Sequence, residues 1–168
     1  MRRTIARRAI AVLAGLAVLS GVNWTIFQRE QLIREGAVAR LELAPVDPRS
    51  LMQGDYMALR FQLANQAWRI GTDRKADDGR IVVKPDDKGI ARYVRHDAGE
   101  PLAPGELRMR YRVRDGRVKF ATNAWFFQEG HAKHYERARY GEFRVAPSGD
   151  MLLVNMLGEK LERLGPPG

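Results

Sequence analysis

The chain has 168 residues, no cysteine, and 29 lysines and arginines against 20 acidic residues, giving a net charge of +9 and a pI near 10.3. The missing thiols exclude disulfides and thiolate metal ligands, so stability has to come from buried apolar surface. So basic a chain commonly meets nucleic acid, yet it carries no finger, helix-turn-helix or basic-aromatic RNA motif, and no glycine loop spaced to cradle a phosphate.

Arg2, Arg3, Arg7 and Arg8 come first, with no acidic residue among them, and Ala9 to Phe27 then runs with only Ser20, Asn23 and Thr25 as polar side chains. At about 1.5 Å per residue that run reaches roughly 28 Å, close to the hydrocarbon thickness of a bilayer. Arg29 with Glu30, and Arg34 with Glu35, cancel one another beyond it. The positive excess lies before the helix, and the positive-inside rule predicts a cytoplasmic tail over 1–8, a transmembrane signal-anchor over 9–27 and a translocated domain over 28–168. Trp24 suits an interfacial anchor near the far end. A cleavable signal peptide competes, because Ala9 to Leu19 has the length of an h-region and Val18-Leu19-Ser20 resembles a cleavage site, but Val22 to Phe27 prolongs the apolar run past what a signal peptide needs. On both readings the remainder leaves the cytoplasm and does not meet the chromosome.

In the translocated part, period-two alternation with turn residues every eight to twelve positions predicts an α+β domain of mainly antiparallel strands with one short helix. Val38 to Leu43 is the first strand and Tyr56 to Leu63 the second, with Asn65 to Asp78 open to either reading. Arg80 to Lys84 and Ile90 to Arg95 form a hairpin around Asp86-Asp87-Lys88-Gly89. Leu107 to Arg114 and Arg117 to Phe120 form another, joined by Asp115-Gly116, whose residue types tolerate the positive φ of a tight primed turn. A helix is expected over His131 to Tyr140, ended by Gly141. Strands at Glu142 to Val145 and Met151 to Leu157 flank Pro147-Ser148-Gly149-Asp150.

Between the first two strands lies the most distinctive segment, Pro45-Val46-Asp47-Pro48-Arg49-Ser50-Leu51 followed by Gly54-Asp55-Tyr56-x-x-Leu59-x-Phe61. Asp47 before Pro48 suits an Asx-type turn, and Gly54 supplies a backbone angle that other residues resist. Alternation puts Met57, Leu59 and Phe61 on the core face and Tyr56, Ala58 and Arg60 on the other. An ion-paired turn lock is one reading of Asp47, Arg49, Gly54, Asp55 and Tyr56, and a polar site offered to a partner is the other. The segment, with Glu129-Gly130 and Tyr135-Glu136-x-Ala138-Arg139-Tyr140-Gly141 later in the chain, resembles the bacterial family named after Gly-Asp-Tyr-x-x-Leu-x-Tyr, with Phe61 in place of the final tyrosine. That resemblance implies a membrane-associated protein, in the inner membrane with its domain in the periplasm. It also implies a multi-span membrane protein as the first partner to test, and it assigns no reaction.

Along Leu107 to Arg114, Arg108, Arg110, Arg112 and Arg114 share one face, and the two-residue turn sets Arg114 opposite Arg117 and Arg112 opposite Lys119. Like charges opposite each other destabilise a ladder. Either acidic side chains from an adjoining strand neutralise the row or an outside anion does, anionic lipid headgroups or an acidic partner patch being the candidates.

Catalytic signals are thin. Ser50 and Ser148 are the only serines after the apolar run, and His96, His131 and His134 the only histidines. No Ser-His-Asp spacing is present, so no catalytic residue is assigned. His131 and His134 would share a helix face with Glu129 nearby, but a structural zinc site wants four ligands and Lys133 and Arg137 oppose a cation, so no metal and no cofactor is assigned. The expected role is a membrane-anchored extracytoplasmic binding or assembly module. An envelope hydrolase or metal-dependent enzyme is the alternative.

Overall fold

The computed structural model describes residues 2–45, 52–53, 56–70 and 78–166, with backbone alone at 2–11, 52–53 and 67–70. It divides into two compact units, residues 1–35 and 36–168.

The first unit is a single helix, α1 (Arg2–Glu35). Its large apolar side chains from Val12 to Phe27 are exposed, including Leu16, Val22 and Phe27 at 55%, 51% and 56%. The Thr25 hydroxyl donates to the Gly21 carbonyl one turn back at 3.0 Å, which satisfies it inside the helix. Glu30–Arg34 and Gln31–Glu35 tie the polar last turns together. Among the described residues no helix is long and apolar enough to cross a membrane. The expected span starts at Ala9, in the part of α1 described by backbone alone, and the readable part runs on into Gln28, Arg29 and Glu30.

The second unit is α+β and mainly antiparallel. Its elements are β1 (Ala37–Glu42), β2 (Met52–Gln53), β3 (Tyr56–Ala58), α2 (Gln62–Ile70), β4 (Gly79–Pro85), β5 (Ala91–His96), β6 (Leu107–Arg114), β7 (Arg117–Phe120), β8 (Ala124–Phe126), β9 (Tyr140–Val145) and β10 (Met151–Leu157). They form sheets ordered β1-β9-β10, β2-β3-β8 and β5-β4-β6-β7. Both expected hairpins form. Asp115 and Gly116 take φ of 53° and 66°, as a primed turn requires, and this fixes Arg112 opposite Lys119 and Arg114 opposite Arg117. Asp86 Oδ1 accepts from the Lys88 and Ile90 N–H groups and closes the β4–β5 turn.

Two expected elements differ. The strand from Tyr56 stops at Ala58, and α2 starts at Gln62. Met57, Leu59 and Phe61, the expected core face, are buried at 2–5% exposure, and Leu63 in the first turn of α2 continues the same wall at 4%. Gln62-Leu63-Ala64-Asn65-Gln66-Ala67 holds no β-branched residue to favour a strand. The helix expected over His131 to Tyr140 reduces to one 3-10 turn, Ala132–His134, followed by i→i+3 bonds such as Ala138 N–H to the Tyr135 carbonyl. Tyr135 is drawn inward between Trp125 and Phe127, at ring distances of 6.0 and 5.3 Å. Gly141 is no helix stop but lies inside β9, where an added Cβ would come within 3.0 Å of Leu153 and 3.2 Å of Phe143 and Phe61.

The core gathers Leu41, Met57, Phe61, Met109, Phe120 and Phe143, each at most 4% exposed, with Phe61 edge-on to Phe143 at 5.4 Å. Across the first sheet runs one polar rung, Arg40–Glu142–Asn155, in register on β1, β9 and β10. Arg40 also joins this sheet to the β4–β5 turn, its N–H donating to the Gly89 carbonyl at 2.9 Å.

Candidate functional site

Of the motif residues, Asp47, Arg49, Gly54 and Asp55 lie outside the described residues. Tyr56 is described: it opens β3, half-buried, paired across the ladder with Phe126 of β8 and in ring contact with it at 5.7 Å. Phe126 is 74% exposed, an unusual loss for a phenyl ring in a folded domain. The motif strand therefore sends Met57, Leu59 and Phe61 into the core while Tyr56 and Phe126 form an aromatic edge on the surface.

Beyond Ala58 the chain turns across the end of the β6–β7 hairpin. The Leu59 N–H donates to the Asn123 carbonyl at 2.7 Å, and the Ala44 N–H to the Arg60 carbonyl at 2.8 Å, so the backbone on both sides of Arg60 is held. A cleft of about 490 Å³ opens here between the start of α2 and β7.

The arginine row is largely neutralised from within, by carboxylates that its own and neighbouring loops supply. Arg80 and Arg108 share the Asp97 carboxylate at 2.9 and 3.1 Å, its side chain 1% exposed. Arg110 meets Asp150 at 2.9 Å and Arg114 meets Asp78 at 2.9 Å. Burial alone would raise the Asp97 pKa, but the Gly99 N–H and the Arg108 and Arg80 guanidinium groups hold it below the usual carboxylate range. The Val113 N–H, ahead of Arg114, does the same for Asp78. Arg112 makes no hydrogen bond or ion pair among the described residues. Asp150 is brought to Arg110 by the β9–β10 turn, whose Gly149 carbonyl accepts from the Arg110 N–H at 2.9 Å. Gly149 has φ +90°, a conformation that strains any L side chain, so the turn that seats Asp150 favours glycine there. The row's strand alternation was legible in the sequence, but its partners come from loops at positions 78, 97 and 150 and were not.

His131 and His134 lie in ring contact at 5.5 Å, and among the described residues no group of three or more His, Cys, Asp or Glu side chains converges on a metal-sized space. Ser148 Oγ donates to Asp150 in the β9–β10 turn. Ser50 lies outside the described residues.

A family model described as GDYXXLXY protein matches residues 18–156. No curated protein and no solved structure matches the chain.

Proposed function

We propose, from the premise that this chain belongs to the GDYXXLXY family, that it is a membrane-anchored binding module. In this reading α1 is a single-pass inner-membrane anchor and residues 36–168 work in the periplasm. The observation that carries the reading is the surface of α1. Val12, Leu13, Leu16, Val18, Leu19, Val22, Trp24, Ile26 and Phe27 are each more than half exposed. At about 100° per residue their positions cover roughly two thirds of the circumference, and Ala14, Ala17, Gly21 and the internally bonded Thr25 fill the remaining sector, so the helix offers no strongly polar face and needs an apolar surrounding. The four N-terminal arginines orient it with that end in the cytoplasm. The in-helix bond of Thr25 removes a donor that hydrocarbon would leave unmet.

The recognition surface in this reading is the motif turn with the Tyr56–Phe126 edge. The half-buried Tyr56 and the exposed Phe126 offer a large rigid aromatic area, and the motif residues that precede Tyr56 in the chain, Asp47, Arg49, Gly54 and Asp55, supply the polar composition of a protein-contact hot spot. A multi-span membrane protein is the partner class to test first, and anchoring both in one bilayer raises their effective concentration. A fusion of alkaline phosphatase to the C-terminus should be active, the chain should resist carbonate extraction, and Phe126→Ala should lose the partner captured by crosslinking in native membranes. An inactive phosphatase with a fluorescent cytosolic fusion in its place overturns the anchored reading.

A further inference from the structure

We propose that the cleft between the motif strand and the β6–β7 hairpin is a binding site for a small amphiphilic anion, an acyl or aryl carboxylate. Its volume of about 490 Å³ falls in the range of small-molecule sites. Its inner wall is apolar, with Leu59, Phe61 and Phe120 at 5%, 4% and 1% exposure. Its lining includes three cations, Arg60, Arg117 and Lys119, together with Asn65 and Asn123, and among the described residues no carboxylate lines it. Lys119 keeps Asp115 at 3.2 Å, whereas Arg60 and Arg117 make no hydrogen bond or ion pair among the described residues.

That imbalance separates this cleft from the arginine row. There, Asp78, Asp97 and Asp150 engage three of the row's four guanidinium groups, and Asp97 takes Arg80 of β4 as well. Here two guanidinium groups, each with a planar set of donors suited to an oxyanion, line an apolar wall and have no carboxylate partner among the described residues. A carboxylate head would meet Arg60 and Arg117, the Asn65 and Asn123 amides can complete its lone pairs, and an acyl or aryl body would cover Leu59, Val118 and Phe120. Neither half suffices alone: an anion without an apolar body gives up the wall, and a neutral amphiphile leaves the cations hydrated. The site is distinct from the aromatic edge of the proposed partner surface and does not depend on which compartment holds the domain.

The test uses the full chain in zwitterionic-lipid nanodiscs, with octanoate as probe, octanol and acetate as comparators, and empty discs subtracted. Titration calorimetry should show saturable octanoate binding that weakens as salt is raised, with octanol and acetate at least tenfold weaker. The pair Arg60→Gln and Arg117→Gln should weaken octanoate at least tenfold. Asn65→Asp, which adds one negative charge to an exposed position without changing side-chain size, should weaken it several-fold and keeps the test decisive if the arginine pair disturbs folding. Absence of saturable octanoate binding, octanol binding as tight as octanoate, or an affinity unmoved by Asn65→Asp each overturns the proposal.

Discussion

Glutamine in place of Glu142 removes one charge from the centre of the first sheet without changing side-chain shape. The residue is 6% exposed. Its Oε2 accepts from Arg40 Nε at 3.1 Å and its Oε1 from Asn155 Nδ2 at 2.8 Å. An amide there keeps one acceptor and turns the other into a donor facing a donor. Losing a charge-assisted hydrogen bond costs about 1.5–3 kcal/mol, and Arg40, 26% exposed, can regain water, which favours the lower part of that range, about 2 kcal/mol. For a domain of this length the melting temperature should fall by roughly 6–8 °C at pH 7.5. Burial alone would raise the Glu142 pKa, but Asn155 and Arg40 hold it below its ordinary value near 4.5. A depressed carboxyl contributes stability above its ordinary value and loses it as pH falls through the lowered one. The gap between wild type and variant should therefore be widest at neutral pH, begin to narrow as pH falls past the ordinary value near 4.5, and close only below the lowered one. Thermal melts followed by circular dichroism between pH 7.5 and 3 measure it. Equal melting temperatures at pH 7.5, or a gap that pH does not change, would refute the reasoning.

Gly141→Ala should destabilise by about 1–3 kcal/mol, because the new methyl meets Leu153, Phe143 and Phe61 from three sides and overpacks β9; denaturant titration reads it as a lower midpoint at unchanged slope. Arg112→Gln should leave the melting temperature nearly unchanged, since its attraction to Asp78, one of the charges that lower that carboxyl's pKa, is offset by its repulsion from Lys119 across the ladder. Any shift should shrink as salt is raised, and a clear loss or gain in thermal melts would refute that balance.

The sequence was most informative where one periodicity ruled a whole element. Leu107 to Arg114 alternates without a break, and its Asp115-Gly116 turn permits essentially one register, so strand, turn and facing residues could all be read in advance. Between Tyr56 and Leu63 the same alternation located the buried side chains but not the backbone, because a core wall can be continued by the first turn of a helix. Around His131 the chain makes a single 3-10 turn and buries Tyr135, 6% exposed, against Phe127, a tertiary contact that local periodicity does not show. The carboxylates that quiet the arginine row were hidden for another reason. They sit in connections, and which loop reaches which strand depends on a fold that local pattern does not encode. The same limit hid the cleft, whose walls come from residues more than fifty positions apart.

Arg40 and Glu142 stand 102 positions apart, and β1 finds its ladder only in β9. The first strand to emerge after α1 meets earlier elements only through single bridges such as Arg40 to Ile90, so its ladder must wait until nearly the last hairpin has been synthesised. Chains truncated before Tyr140 would carry an orphan edge in place of a smaller sheet, and during biogenesis that edge is the natural target for a holding chaperone or a protease.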